Sequence, residues 1–154
     1  MKIRILAVGR KAAGWLSEAE KQYLQRLRPF ADAACELVSP LDEHILGEAA
    51  CREQECAKLL ARISQVEFVI ACDPGGSPLT SEQFARELRD LRDRGARLCL
   101  VIGGSHGLSD DLRAKADRVI SFSRLTFPHE LFRIMLLEQV YRAFTIIAGK
   151  KYHK

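Results

Sequence analysis

Two stretches decide the fold of this 154-residue chain: LCLVIGGSHGLS at residues 98–109 and VISFSRLTFPHELFRIMLLEQVYRAF at residues 119–144. Each begins with an apolar run typical of a buried strand and then breaks into a loop, glycine-rich in the first and aromatic in the second. A long apolar helix follows, and the chain ends in the basic segment KKYHK. The two loops predict a pocket at the strand ends, and the cationic end beside it predicts an anionic substrate.

Strands and helices alternate along the whole chain. Apolar spacing predicts strands at residues 2–8, 35–39, 67–72, 97–102 and 118–121, and helices at 14–27, 46–63, 80–95, 112–116 and 130–148. Thr80 and Gln83 fit a capping box, and Gly95 fits a helix stop. The alternation predicts an α/β fold in which one domain, residues 1–154, has a parallel sheet with helices on both faces.

Ligands of such sheets bind beyond the carboxyl ends of the strands. We therefore expect three loops at one edge: the turn at residues 73–76, the glycine loop after Ile102 and the aromatic loop after Ser121. The glycine loop has neither the Lys of a Walker loop nor the position of a dinucleotide fingerprint, so a sharp turn is an equal alternative. The aromatic loop suits a wall around a flat heterocycle, or packing beneath the last helix.

Composition excludes several classes of protein. No apolar run is long enough to span a bilayer, and the N-terminal segment MKIRILAVGR lacks a small-residue cleavage site, so it is predicted to be a strand and not a signal peptide. The five cysteines form no CxxC pair, which favours free thiols in a reducing cytoplasm over a zinc site or a disulfide.

Positive charge is concentrated near the C-terminus. Residues 113–154 contain nine Lys/Arg and three Asp/Glu, whereas residues 1–112 contain fifteen and seventeen. This asymmetry favours a phosphate-bearing partner, although a solubilising surface explains it equally well. The tail at residues 150–154 mixes basic and aromatic groups that suit RNA contact, with a frayed terminus as the alternative.

The last helix is apolar nearly all round, so it must be buried on more than one side. In a small domain this favours a homodimer over burial within one chain. The apolar positions are Leu131, Ile134, Met135, Leu137, Val140, Tyr141, Phe144 and Ile147.

Taken together, VIGGSHGLS, SFSRLTFPHELFRIMLLEQVYRAF, the terminal YHK and the N-terminal KIRILAVGR resemble the bacterial RlmH (YbeA-type) enzymes, a family of SPOUT-class methyltransferases. The resemblance covers the whole chain and is most specific in its C-terminal part. It implies transfer of a methyl group from S-adenosylmethionine to N3 of a pseudouridine in 23S ribosomal RNA, on assembled ribosomes. It also implies a homodimer and a C-terminal trefoil knot.

The resemblance carries over a cofactor pocket and a catalytic set. Catalysis on a uracil-type ring needs a base that removes the N3 proton, or a cationic surround that favours the imide anion, and no metal is expected. The candidates are Tyr152, His153, His129 and Arg142, and the tail residues Tyr152 and His153 are preferred. The alternative for His129 is a packing or capping role, and the alternative for Arg142 is an ion pair with Glu138. The implied cofactor residues are Cys72, where the family usually has Leu, and Gly103, Phe122, Ser123, Arg124, Leu125, Thr126 and Phe127.

Three other functions stay open. A SPOUT-type enzyme could modify another ribosomal or transfer RNA nucleotide and share the pocket. A ribosome-associated binding module without catalysis would not bind S-adenosylmethionine. A nicotinamide oxidoreductase is the weakest alternative, because the first strand is followed by Gly9 alone and lacks the glycine fingerprint.

Overall fold

Five parallel strands form one sheet with helices on both faces. The computed structural model describes residues 1–152, and the strand order across the sheet is β2-β1-β4-β3-β5. The elements are β1 (Lys2–Val8), α1 (Gly14–Leu27), β2 (Asp32–Val38), α2 (Glu43–Leu46), α3 (Glu48–Leu60), β3 (Glu67–Pro78), α4 (Ser81–Asp93), β4 (Arg97–Ile102), α5 (Asp110–Lys115), β5 (Arg118–Ser121) and α6 (His129–Ile147).

The sheet separates two apolar cores. Successive side chains of a strand point to opposite faces, so Ile3 and Ile5 of β1 enter the core shared with α1, α4 and α6. Leu6 and Val8 of the same strand enter the core shared with α3 and α5. Burial on both faces explains why the central strands read as continuous apolar runs.

The sequence predicts several elements correctly. Strands β1, β4 and β5 and helix α1 have the predicted bounds. The capping box is present, because Gln83 N donates to Thr80 Oγ1 at 3.2 Å and Thr80 N donates to Gln83 Oε1 at 2.7 Å. Gly95 follows α4 with a φ of 70°, a left-handed conformation that glycine adopts without strain.

Other predicted bounds are wrong. The single helix predicted at residues 46–63 is two helices, α2 and α3, separated by Gly47 with a φ of 79°. Strand β2 begins three residues early, at Asp32, because its pairing with β1 extends to Lys2. Helix α5 begins at Asp110 because the Ser109 side chain caps it, and α6 begins one residue early at His129.

Strand β3 does not end in the predicted turn at residues 73–76. It continues to Pro78 through a β-bulge, so that both Cys72 and Ser77 pair with Ile120 of β5. Gly76 passes so close to β5 that a Cβ atom there would lie 2.6 Å from the Ile120 carbonyl carbon. The glycine therefore permits the close crossing of two backbones.

Helix α6 lies against both α1 and α4. One chain therefore buries more than one side of this helix, including Ile134, Leu137, Val140 and Phe144. Leu131, Met135, Tyr141 and Ile147 stay half-buried. Burial within a single chain thus explains much of the wide apolar stripe. The prediction of a homodimer rests on the four half-buried side chains. No helix within residues 1–152 is both long and apolar enough to cross a membrane.

Candidate active site

Three segments surround one cavity of about 230 Å³. They are the loop after β4, the loop after β5 and the bulged part of β3. This is the edge of the sheet that the strand pattern predicts. Of the predicted cofactor residues, all except Arg124 line the cavity, and so does His129. The sequence interpretation left out further lining residues: Asp73, Pro74, Ile102, Gly104, Ser105, Gly107, Leu108 and Phe132.

The glycine loop is a tight turn that forms one wall. Gly107 N donates to the Gly104 carbonyl at 3.0 Å, and Gly107 has a φ of 78°. A Cβ atom on Gly103 would lie 2.7 Å from both the Gly107 carbonyl oxygen and Leu108 Cδ2. Glycine at 103 is therefore required first by the loop's own packing, and the expected close approach to a ligand is an additional use of the same small residue.

Helix α3 supports this loop from behind. Ser109 N donates to Cys56 Sγ at 3.2 Å. Glu55, which is 4% exposed, accepts from Leu41 N at 2.8 Å, and its other carboxylate oxygen lies where a Cβ of Gly104 would be placed. The buried carboxylate thus fixes the position of the loop and excludes any side chain at residue 104.

The aromatic loop forms the opposite wall. The Phe122 and Phe127 rings lie 5.3 Å and 6.3 Å from the Phe132 ring of α6, measured between centroids. The loop therefore packs on the last helix, as one of the two interpretations predicts, and it also lines the cavity. Leu125 is 70% exposed at the rim, where an apolar side chain can cover a ligand. The exposed Arg124 is not among the lining residues.

Cys72 and Asp73 lie at the end of the regular part of β3. Burial raises the pKa of the Cys72 thiol to about 12, so it is a neutral apolar surface at physiological pH. The buried Asp73 carboxylate accepts from Arg113 Nη2 at 2.9 Å and from Gly75 N at 2.8 Å. These bonds hold the bulge in place. An acidic residue directly after a buried strand is a signal that could have identified Asp73.

His129 is the first residue of α6 and the one titratable ring among the cavity's lining residues. Burial lowers its pKa below the ordinary value, and the nearby Glu55 carboxylate partly opposes this shift. The imidazole is therefore neutral near pH 7 and can accept a proton. Pro128 occupies the N-cap, so His129 has no capping role.

Arg142 and Tyr152 lie away from this cavity, at Glu138. Arg142 Nη2 donates to Glu138 Oε1 at 2.7 Å, the helix ion pair expected as the alternative. Tyr152 Oη donates to the same oxygen at 3.2 Å, and its ring stacks on Arg142 with 4.9 Å between Cζ and the ring centroid. Burial, with Tyr23 and Glu138 nearby, raises the pKa of Tyr152 to about 12.

The helix rise separates Glu138 from the cavity. Glu138 follows Phe132, the last residue of α6 that lines the cavity, by six positions, which is about 9 Å along α6. One chain therefore brings His129 to the predicted cofactor residues and leaves Arg142 and Tyr152 outside the cavity. His153 lies outside the described residues. Within residues 1–152 no group of three His, Cys, Asp or Glu side chains is placed to hold a metal ion.

The chemistry of the cavity suits a flat, mostly apolar ligand. Aromatic and aliphatic side chains line two sides, backbone of the glycine loop lines a third, and few polar groups are present. The hydroxyls of Ser105, Ser123 and Thr126 can orient a ligand, and the Asp73 carboxylate and the neutral His129 imidazole can also exchange a proton. This arrangement is compatible with transfer chemistry on a heterocyclic ligand.

Comparison with known proteins covers the full chain. Residues 1–153 match the family described as predicted SPOUT methyltransferase. The "Ribosomal RNA large subunit methyltransferase H" of Anaeromyxobacter sp. strain K is 41% identical, with 100% of both chains covered. The protein of the same name from Carboxydothermus hydrogenoformans is 42% identical over the same full coverage.

The fold is also found among solved structures. A probable methylase family protein from Haemophilus influenzae Rd KW20 superposes with a TM-score of 0.59 at 14% identity. The superposition covers 99% of this chain and 70% of that one. At this identity the similarity extends to the fold alone.

Proposed function

The chain belongs to the SPOUT methyltransferase family, and we propose that it transfers a methyl group from S-adenosylmethionine to N3 of a pseudouridine in 23S ribosomal RNA. One observation carries this proposal. The cavity at the carboxyl edge is built by the loops that carry the family resemblance, in a chain similar over its full length to relatives named as methyltransferases of large-subunit ribosomal RNA.

The cavity fits the adenosyl part of S-adenosylmethionine. Phe122 and Leu125 offer apolar surface to a purine ring, and the glycine loop leaves its backbone accessible. Asp73 places a carboxylate at the floor, where it can orient polar groups of the donor. S-adenosylmethionine supplies an electrophilic methyl group, so towards this donor the chain's residues bind, orient and exclude water.

The acceptor nitrogen must lose its proton before it becomes nucleophilic. His129 is a neutral imidazole at the cavity and can take that proton. Arg142, Tyr152 and His153 remain proposed catalytic residues. Arg142 follows Phe132 by ten positions, about 15 Å along α6, and Tyr152 is bonded to Glu138, about 9 Å along the same helix. Because both lie outside the cavity of their own chain, we propose that they act at the cavity of a second copy.

The remaining properties follow from the same proposal. Residues 1–154 act as a single domain with a trefoil knot in the C-terminal part, and two copies form a homodimer through the half-buried side of α6. The enzyme acts in the cytoplasm on assembled ribosomes, without a metal. Arg124, exposed beside the cavity, stays a proposed cofactor contact.

The test is calorimetry with S-adenosylmethionine followed by methylation of ribosomes from a strain that lacks the gene. We expect binding, and incorporation of one methyl group at a pseudouridine, located by mass mapping of the RNA. Methylation of another nucleotide or of transfer RNA would assign a different SPOUT activity. Absence of S-adenosylmethionine binding by the folded protein would contradict methyl transfer and favour a binding module.

A further inference from the structure

A second cleft opens at the same edge of the sheet, beyond the carboxyl ends of β1 and β2. Its volume is about 560 Å³, and its walls include Arg10, Lys11 and Lys21 together with Glu20. The three cationic side chains are exposed. No hydrogen bond or ion pair to another residue within 1–152 involves Arg10 or Lys11, whereas Lys21 has a 3.6 Å contact with Glu18. We call this feature the basic cleft.

A buried cation lies behind the basic cleft. Arg133 of α6 has a side chain only 1% exposed, and its Nε donates to Glu20 Oε2 at 2.7 Å. Its two terminal nitrogens, Nη1 and Nη2, have no hydrogen-bond partner among the described residues. Nη1 lies 3.7 Å from the position of a Cβ atom built on Gly9, and both Gly9 and Glu20 line the cleft. The unpartnered end of the guanidinium therefore lies directly behind the part of the cleft wall that Gly9 and Glu20 form, and this wall covers it from solvent.

This arrangement indicates an anionic ligand. A buried charge is costly unless it is paired and its hydrogen-bonding groups are satisfied. Glu20 satisfies one of the five N–H donors of Arg133 and leaves the planar fork of the other two nitrogens open. A phosphate oxygen pair matches such a fork, and arginine binds phosphate in this two-point manner.

The basic cleft and the cavity are neighbours. Gly9 follows β1 and Gly103 follows β4, and these two strands are adjacent in the sheet, with Ala7 opposite Ile102. Adjacent strands lie about 4.8 Å apart, so Gly9 and Gly103 begin neighbouring loops at one edge of the sheet. Helix α6 joins them, because Phe132 lines the cavity and the next residue is Arg133.

We propose that the basic cleft binds a backbone phosphate of the RNA substrate, with Arg133 as its buried anchor, while the target nucleotide lies at the mouth of the cavity that holds the methyl donor. This inference rests on the proposed function, since it assigns the way in which that substrate is held. Trp15, at the first turn of α1, is 66% exposed close to the cleft. An exposed indole beside phosphate-binding cations is suited to stacking on an unpaired base, which favours RNA over a free anion.

The experiment compares two pairs of cations. The double variant Arg10→Ala/Lys11→Ala removes the rim of the basic cleft. The control, Lys2→Ala/Arg28→Ala, removes two cations from another cleft, which lies at the amino end of β1. Binding of a fluorescent single-stranded RNA oligonucleotide is measured by anisotropy over a range of KCl concentrations.

We expect the cleft variant to bind the RNA roughly ten-fold more weakly, with the salt slope reduced by about 0.7, the value for one lost phosphate contact on a single strand. The control keeps both values. Equal losses in the two variants would indicate general attraction and overturn the proposal. A change in sedimentation of the cleft variant alone would make this surface an interface between copies and would also overturn it.

Arg133 is tested by thermal protection. Inorganic phosphate, compared with chloride at equal ionic strength, should raise the melting temperature of the wild-type protein, and Arg133→Met should remove this effect. If folded Arg133→Met is still protected by phosphate, Arg133 does not bind the phosphate. If Arg133→Met fails to fold, RNA binding by the Arg10→Ala/Lys11→Ala variant tests the proposal. Phosphate protection with unchanged RNA affinity in the rim variant would leave a free-anion site and overturn the RNA assignment.

The two proposals fail separately. Calorimetry with S-adenosylmethionine does not depend on the basic cleft. Loss of cofactor binding with the RNA results as expected would contradict methyl transfer and leave the cleft standing. Normal ribosome methylation with no effect of the cleft variants would contradict the cleft and leave the function standing.

Discussion

Replacing Gly103 with alanine tests the glycine wall of the cavity. The added Cβ would lie 2.7 Å from the Gly107 carbonyl oxygen and from Leu108 Cδ2, whereas ordinary contact begins near 3.4 Å. Leu108 is 2% exposed and cannot swing away, so the turn must open by about 0.7 Å. Overpacking of this kind costs about 1–3 kcal/mol. At about 2–4 °C per kcal/mol for a domain of this size, the melting temperature should fall by roughly 4–8 °C for a cost of about 2 kcal/mol.

Displacement of this wall should also weaken S-adenosylmethionine binding at least ten-fold, or about 1.4 kcal/mol. Calorimetry of the folded variant measures this change. The matched control is Gly95→Ala, where a φ of 70° makes alanine strained but no atom lies within 4 Å. It should cost about 1–2 kcal/mol and leave cofactor affinity unchanged. Full affinity in Gly103→Ala, or equal loss in the control, would refute the reasoning.

Deletion of residues 152–154 should abolish ribosome methylation and change S-adenosylmethionine affinity by no more than a few-fold; unchanged turnover would contradict a catalytic tail. Burial lowers the pKa of His129 in the folded chain. As the pH falls from about 6.5 towards this lowered pKa, the unfolded chain protonates the imidazole and the folded chain does not. The free energy of unfolding should therefore fall by up to about 1.4 kcal/mol per pH unit in this range and stay unaffected above it. His129→Gln should remove that dependence in urea melts at pH 7.5 and 5.5, and an identical dependence in the variant would show that another group is responsible. Phe144→Ala removes a buried ring that stacks on Phe30 with 6.0 Å between centroids, so it should lower the free energy of unfolding by about 3–5 kcal/mol in the same assay. Phe127→Ala should lower the free energy of unfolding less and weaken cofactor binding more. The reverse order would contradict the assigned roles.

The architecture could be predicted because its signals are local. Alternating apolar runs and helical spacing identify each strand and most helices, and short connections between them permit little except a parallel sheet. The position of the cavity then follows from strand direction alone. The amino-acid pattern is enough to assign the glycine and aromatic loops to one pocket, because both follow parallel strands.

The errors arise where a distant part of the chain decides the local conformation. Pro74, Gly75 and Gly76 have the composition of a turn, but pairing with β5 keeps this segment extended. Gly47 divides a helix whose apolar spacing is continuous on either side. Spacing reports which face of a helix is apolar, and it does not report a single residue that interrupts the helix.

The predicted site residues divide for the same reason. Cys72, Gly103 and the aromatic loop lie at strand ends, so the sheet places them together. Phe132 is not among the residues singled out from the sequence, and its contact with the cavity depends on where α6 begins. Nothing in the sequence indicates that Tyr152 folds back onto Glu138, since this contact joins residues 14 positions apart through the turn after α6.

The pairing of β5 determines how the cavity opens. This strand has only four residues and lies at the edge of the sheet, bonded to β3 alone on both sides of the bulge. Short edge strands exchange their amide hydrogens through local opening, well before the whole domain unfolds. Because Phe122 follows β5 directly, each such opening also removes one wall of the cavity. The exchange rate of the β5 amides therefore measures how often the cavity is intact, and a ligand held there would slow exchange in β5 while leaving the central strands β1 and β4 unchanged.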